Sequence, residues 1–205
     1  MGRRSDHSRA ELERIIVVEG HRQIAEVGFA RFSAREVAKR IGYSIGTIYN
    51  VFGTHDRLIL AINTRTFGLW AAHLRARLEA KQADRIQVLV EGYFSFAREN
   101  PNLWMAIYDH RLPPDAVMPE EFEEQRSELT EIVTAEVAAA LPEAVRESAP
   151  RLARSLIATV HGHCTFALNG TFALMGEADP LELALARVRE SIAAAAAQLV
   201  EAVAK

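Results

Sequence analysis

The chain has 205 residues, 49% of them hydrophobic, and a formal net charge of −3, a composition that supports a folded core and excludes wholesale disorder. No apolar run reaches the roughly 18 residues a membrane span requires, and the single cysteine, Cys164, excludes an internal disulfide. The charge is uneven: residues 1–57 carry a net +3 and residues 58–205 a net −6, so a locally basic face able to meet phosphate coexists with an acidic remainder. With no apolar signal core near the N-terminus, a reducing, cytoplasmic location is expected.

Strand signals are nearly absent, and the chain reads as helices separated by caps and prolines. A first helix is predicted from Ser8 to Val27, ending at Gly28. Its interior Gly20 is unfavourable by about 1 kcal/mol against Ala, which marks close packing or a local weakness. Ser33 with Glu36 has the spacing of a capping box; Val37, Ala38 and Ile41 follow on one face, and Gly42 frees the backbone for a stop. Ser44 is placed to cap a second short helix whose Ile45, Ile48 and Phe52 recur at intervals of three and four. Two short helices around such a turn make a helix-turn-helix, whose second helix can enter a DNA major groove. Tyr49 either joins the inward stripe or faces outward toward DNA. Arg3, Arg4 and Arg9 form either a minor-groove arm or a solvated end.

A long helix is predicted from Thr54 to Lys81, burying Leu58, Ile62, Thr66, Leu69, Trp70, His73 and Leu74. Asp84 with Gln87 caps the next, Asn100-Pro101 opens a short aromatic one, and Pro119 to Leu141 makes another with acids in its first turn. Two long helices close the chain, at 150–175, with Asn169-Gly170 inside the pattern, and at 180–204 behind Asp179-Pro180. In the last, Leu181, Leu185, Val188, Ile192, Ala195, Leu199 and Val203 form a near-heptad seam. Such broad apolar arcs serve either one chain's core or an intersubunit four-helix bundle.

The run from Gly42 to Phe52, GYSIGTIYNVF, together with Gly28-Phe29, the preceding Val37-Ala38-Lys39-Arg40-Ile41 and Leu58, resembles the TetR/AcrR family of bacterial transcriptional regulators. More loosely, residues 93–104 and the pair His161-Gly162 resemble its "WHG" C-terminal variety. The resemblance implies an all-α fold of about nine helices, with a helix-turn-helix DNA-binding domain at 1–55 and a ligand-binding and dimerisation domain at 56–205. It places Ser44, Thr47 and Tyr49 against phosphates and Tyr43 and Ile45 near base edges, with Arg35, Gly46, Asn50 and His55 in the same DNA-facing set. Two positions depart from the family pattern: Ile45 stands where lysine is frequent, and His55 where a phosphate-binding lysine is usual, with Arg57 placed to compensate.

In the body, Trp70, Phe94, Trp104, Met105, Tyr108, His161, Cys164 and Phe166 are candidates for a ligand pocket, or else for a filled core. His161 and Cys164 share a helical face, but no further cysteine joins them, so neither metal nor cofactor is expected. Leu156, Val160, His163, Val188, Ile192, Ala195 and Leu199 are the candidate dimer interface. The expected function is ligand-responsive regulation: a homodimeric repressor on a palindromic operator in double-stranded DNA, released by a small apolar or aromatic inducer, with no membrane partner. An activator with the same head is the alternative within the class. A helical carrier or enzyme is the alternative outside it, though no nucleophile–base arrangement or phosphate-binding glycine loop is legible.

Overall fold

A computed structural model describes residues 7–80, 84–112 and 118–203, the side chains of 121 and 198–203 excepted. Among them lie ten α-helices: α1 (Arg9–Val27), α2 (Ala34–Arg40), α3 (Ile45–Phe52), α4 (His55–Ala80), α5 (Arg85–Glu99), α6 (Pro101–Asp109), α7 (Glu120–Ala140), α8 (Ala149–Leu168), α9 (Thr171–Leu174) and α10 (Pro180–Val203). Short 3-10 turns at Phe29–Arg31 and Glu143–Ser148 complete them. No strand occurs among the described residues. The fold is all-α.

The chain packs as two compact units, one of Met1–Leu69 with Asn100–Arg126, the other of Trp70–Glu99 with Ser127–Lys205. This division does not follow the boundary at residues 55 and 56 expected from the sequence. The reason is α6, which is fastened to the N-terminal helices. Asn102 Nδ2 donates to Ala25 O at 2.8 Å, Asn63 Nδ2 to Ala106 O at 3.1 Å, and His110 Nε2 meets Asp56 Oδ1 at 3.0 Å.

In the N-terminal unit, Ser8 and Glu11 close a reciprocal capping box on α1. Gly20 is buried where α1 crosses α4: a Cβ built there would stand 2.5 Å from Ile62 Cδ1, so close packing is the reason for the glycine. Ser33 caps α2 by accepting the Glu36 amide at 3.3 Å. The expected return bond from Glu36 is absent. The Ser33 amide goes instead to Gln23 Oε1 at 2.8 Å, from a glutamine buried in α1, and Glu36 pairs with Arg40. Arg40 also binds Glu19 and Glu26, and these carboxylates hold its guanidinium charge firmly. Leu58, Ile62 and Thr66 of α4 are fully buried as expected, but Leu69 is 43% exposed. The broad inward arc of α4 leaves that residue outside it.

In the C-terminal unit, Asp84 caps α5 through the Gln87 amide and pairs with Arg189 of α10 at 2.7 Å. Bonding to Arg189, then to that amide, holds its carboxyl below the usual range. Trp70 stacks on Phe96, with centroids 4.9 Å apart, and meets Tyr93 edge-on. Arg85 of α5 grips Glu136 of α7. The helix expected to run unbroken over 150–175 stops at Leu168. Gly170 takes φ +79° and Asn169 Oδ1 accepts the Thr171 amide at 2.9 Å, a turn that restarts the chain as the one-turn α9. Asp179 then caps α10 through the Glu182 amide.

Candidate functional site

The outward face of α3 is built by a small set of local choices. Gly42 at φ +78° lets the chain leave α2, and the Tyr43 amide returns to Ala38 O at 2.9 Å. Ser44 Oγ then accepts the Thr47 amide at 3.2 Å and lies 3.0 Å from Thr47 Oγ1. One face of the helix is sealed into the head by Ile48 and Phe52. On the other, Ser44, Gly46, Tyr49 and Asn50 are exposed, with Arg35 on α2 and His55 at the start of α4 also exposed. First-turn amides that Ser44 does not take remain available to an anion, as at any helix start.

The two residues expected near base edges stand differently. Tyr43 is half-buried, and its hydroxyl is enclosed by protein without a hydrogen-bond partner. Ile45 is half-buried against the core of the head. Thr47 is also half-buried, its hydroxyl engaged with Ser44.

The cations of the head divide by what they touch. Arg22 and Arg40 are held by glutamates, while Arg9 and Arg31 donate to the carbonyls of Val51 and Val27. Arg35 and Lys39 are exposed and have neither an ion pair nor a side-chain hydrogen bond among the described residues. Arg3 and Arg4 lie outside the described residues. Thr54, expected as the first residue of the fourth helix, stands just before it and accepts the Arg57 amide at 3.1 Å, which orders the start of α4. Its S/T-then-helix spacing was the available signal.

The aromatic candidates are divided between the two units. Trp104, Met105 and Tyr108 belong to the N-terminal unit; Trp70, Phe94, His161, Cys164 and Phe166 belong to the other. Trp70 and Phe94 are filled core, and Phe166 is 43% exposed, edge-on to Phe172. The C-terminal unit instead holds an aliphatic cavity of about 40 Å³ among α4, α5, α7, α8 and α10, lined by residues such as Leu74, Leu89, Val137, Leu156, Val160 and Val188. Tyr93 is the only lining residue that carries a hydroxyl. None of the eight expected pocket residues lines it.

Three expected dimer residues, Leu156, Val160 and Val188, therefore face the interior of their own chain. Helical periodicity gave the stripe but not the side it faces. His163, Ile192 and Ala195 are half-buried, and the side chain of Leu199 lies outside the described residues.

His161 links α8 to α5. Thr165 Oγ1 donates to His161 O at 2.9 Å, which leaves its lone pairs to accept from Nε2 at 3.4 Å. Nδ1 then accepts from the Tyr93 hydroxyl at 3.0 Å. Burial favours this neutral ring by pushing its pKa down. Burial also pushes the Cys164 thiol up to about 12, an inert packing group.

Comparison with known proteins agrees with this architecture. The family model for bacterial regulatory proteins, tetR family, matches residues 16–62, and that for the tetracyclin repressor-like C-terminal domain matches residues 86–191. Among solved structures, a protein of unknown function from Rhodococcus sp. RHA1 is 22% identical with a TM-score of 0.69, covering 95% of this chain and 99% of that one. The multidrug binding protein EbrR, complexed with imidazole, is 22% identical with a TM-score of 0.60, covering 91% and 96%. A TetR transcription regulator from Haloarcula marismortui ATCC 43049 is 19% identical with a TM-score of 0.58, covering 90% and 98%. No curated protein matches the sequence. With both parts of the chain matched and the helix-turn-helix in place, the chain belongs to the TetR family of DNA-binding transcriptional regulators.

Proposed function

We propose that the chain is a homodimeric repressor that grips a near-palindromic operator through α3 and lets go when a small apolar ligand enters the aliphatic cavity of its C-terminal unit. The observation that carries the DNA reading is the division of α3. One side is sealed by Ile48 and Phe52, and the other presents Ser44, Gly46, Tyr49 and Asn50. Hydroxyls and free amides on an exposed first turn suit phosphate, and two such helices about 34–36 Å apart meet successive major grooves. Arg35 and Lys39 supply uncommitted positive charge beside them.

The ligand reading rests on the cavity. At about 40 Å³ it is far below the roughly 300–1,000 Å³ of ordinary small-molecule sites. A ligand therefore enters only by parting the helices around it. That supplies the differential affinity a population shift requires. Helix α4 provides Leu74 to this cavity and Leu58 and Ile62 to the core of the head, which makes it the lever. Reciprocity then requires operator DNA to weaken the ligand by the factor by which the ligand weakens DNA. EbrR, of similar fold, is by its name a multidrug binding protein, which is in keeping with a ligand-taking body.

The test is fluorescence anisotropy of labelled DNA from upstream of the chain's own coding region. Tight, salt-sensitive binding that Thr47→Ala/Tyr49→Ala abolishes at unchanged helical content supports the reading. Unchanged affinity in that variant overturns it.

A further inference from the structure

A groove on the N-terminal unit has no part in either site. It lies between α1, α4 and the first turns of α7 and measures about 600 Å³, within the roughly 300–1,000 Å³ that small organic ligands occupy. Its floor is apolar, formed by Val17, Val18, Leu69 and Phe122. Val18 and Leu69 remain 39% and 43% exposed there, an unusual placement for side chains that the helix pattern assigned, in the case of Leu69, to a core. Gly68 opens the middle: a Cβ built on it meets no atom within 4 Å.

The charge at the groove is one-sided. Arg14 and Arg65 line it, against one carboxylate, Glu13, among the described lining residues. Neither arginine has an ion pair or side-chain hydrogen bond among the described residues. The positive charge is felt nearby, since His21 is kept neutral by its burial and, after that, by Arg65.

We infer that this groove binds a small amphipathic organic anion. Its aryl or alkyl body lies on the Val17–Val18–Leu69–Phe122 floor, and its anionic head is taken by Arg14 and Arg65. Guanidinium groups match carboxylate and sulfonate oxygens with two parallel hydrogen bonds, and the apolar floor gains by being covered. The occupant bridges α1 and α4, the two helices that meet at Gly20 and Ile62, so it also stiffens the frame that carries α3. The groove shares no residue with the aliphatic cavity, and the inference stands whether or not that cavity takes an inducer.

The full-length protein is titrated with 1-anilinonaphthalene-8-sulfonate, read by its fluorescence, and with the uncharged N-phenyl-1-naphthylamine. Gly68→Leu projects a side chain into the groove from a position where its Cβ meets no atom within 4 Å, and should weaken the sulfonate by at least about tenfold. Arg14→Gln/Arg65→Gln, two exposed changes that spare the core, should weaken the sulfonate by about tenfold while leaving the uncharged probe within about twofold. Two results overturn the inference. One is sulfonate affinity within about twofold of wild type in the arginine variant, the result also expected if the dye lodges in the aliphatic cavity. The other is equal loss of both probes in that variant. If Gly68→Leu does not fold, the arginine variant decides alone.

Discussion

Gly20→Ala tests whether the spacing of α1 and α4 is set by steric contact. The added Cβ would stand 2.5 Å from Ile62 Cδ1 and 3.1 Å from Cγ1. Ile62 is fully buried, so its side chain has little freedom to retreat, and overpacking of this kind costs about 1–3 kcal/mol. Against that, alanine is the better helix former by about 1 kcal/mol. The clash should win, leaving a net loss of about 1 kcal/mol. In an Ile62→Val background the Cδ1 atom is gone. That change alone costs about 0.5–1.5 kcal/mol, but Gly20→Ala added to it should be neutral or stabilising by up to about 1 kcal/mol. The cycle therefore predicts a coupling of about 1–2 kcal/mol between the two positions. Urea unfolding followed by far-ultraviolet circular dichroism, at one fixed protein concentration, measures all four chains. If Gly20→Ala has the same effect in both backgrounds, contact with Ile62 is not why glycine stands there.

Three further outcomes can be measured on the same protein. Ser44→Ala removes the acceptor of the Thr47 amide and should cost about 1 kcal/mol of stability by urea titration, together with a loss of DNA affinity. A variant as stable as wild type would show that the cap contributes nothing. Lys39→Gln should weaken DNA binding uniformly across sequences and lower the log–log salt slope by about one, read by anisotropy at several salt concentrations. An unchanged slope removes Lys39 from the phosphate contacts. Burial and then Arg65 push His21 from 6.5 down to about 4, so the unfolded chain takes up this proton first. Its stabilising contribution is complete above pH 6.5 and declines as pH falls from 6.5 toward 4. His21→Gln should flatten that limb of the stability–pH curve, and a limb of unchanged steepness would refute the assignment.

Local signals were legible wherever the partner lies within one turn. Ser8, Ser33, Ser44, Asp84 and Asp179 each accept the amide three residues on, as their spacing indicates. Legibility stops where a distant residue competes. Glu36 has the position of a capping-box partner, but the Ser33 amide is taken by Gln23, ten residues back on α1. Asn169-Gly170 lies within apolar helical periodicity, and only the backbone at φ +79° shows that the turn prevails. In the candidate site, the hydroxyl-bearing turn of α3 was readable because capping and exposure are local properties. The inward placement of the Tyr43 hydroxyl was not, since it depends on how the head packs around that ring.

The same limit explains the reassigned stripe on α8 and leads to a last prediction. Leu156 and Val160 repeat at a helical interval, and a repeat alone cannot say whether a partner helix belongs to the same chain. Both prove to be buried within one chain, at 4% and 5% exposure, so in the homodimer we propose a second subunit would meet α8 on another face. That face carries Ser155, Ala158, Gly162 and Phe166, all exposed and spaced three or four apart. A Cβ at Gly162 would meet nothing within 4 Å, and small residues in such a row let a facing helix come close. Ala158→Arg places a long cation in the middle of this row without touching the core. It should leave helical content near wild type, shift the sedimenting species from dimer to monomer, and reduce operator affinity, because one head alone spans only half of a two-groove site. An Ala158→Arg protein that still sediments as a dimer would place the contact elsewhere on the chain. One that becomes monomeric yet binds DNA as tightly as before would show that pairing is not what operator recognition requires.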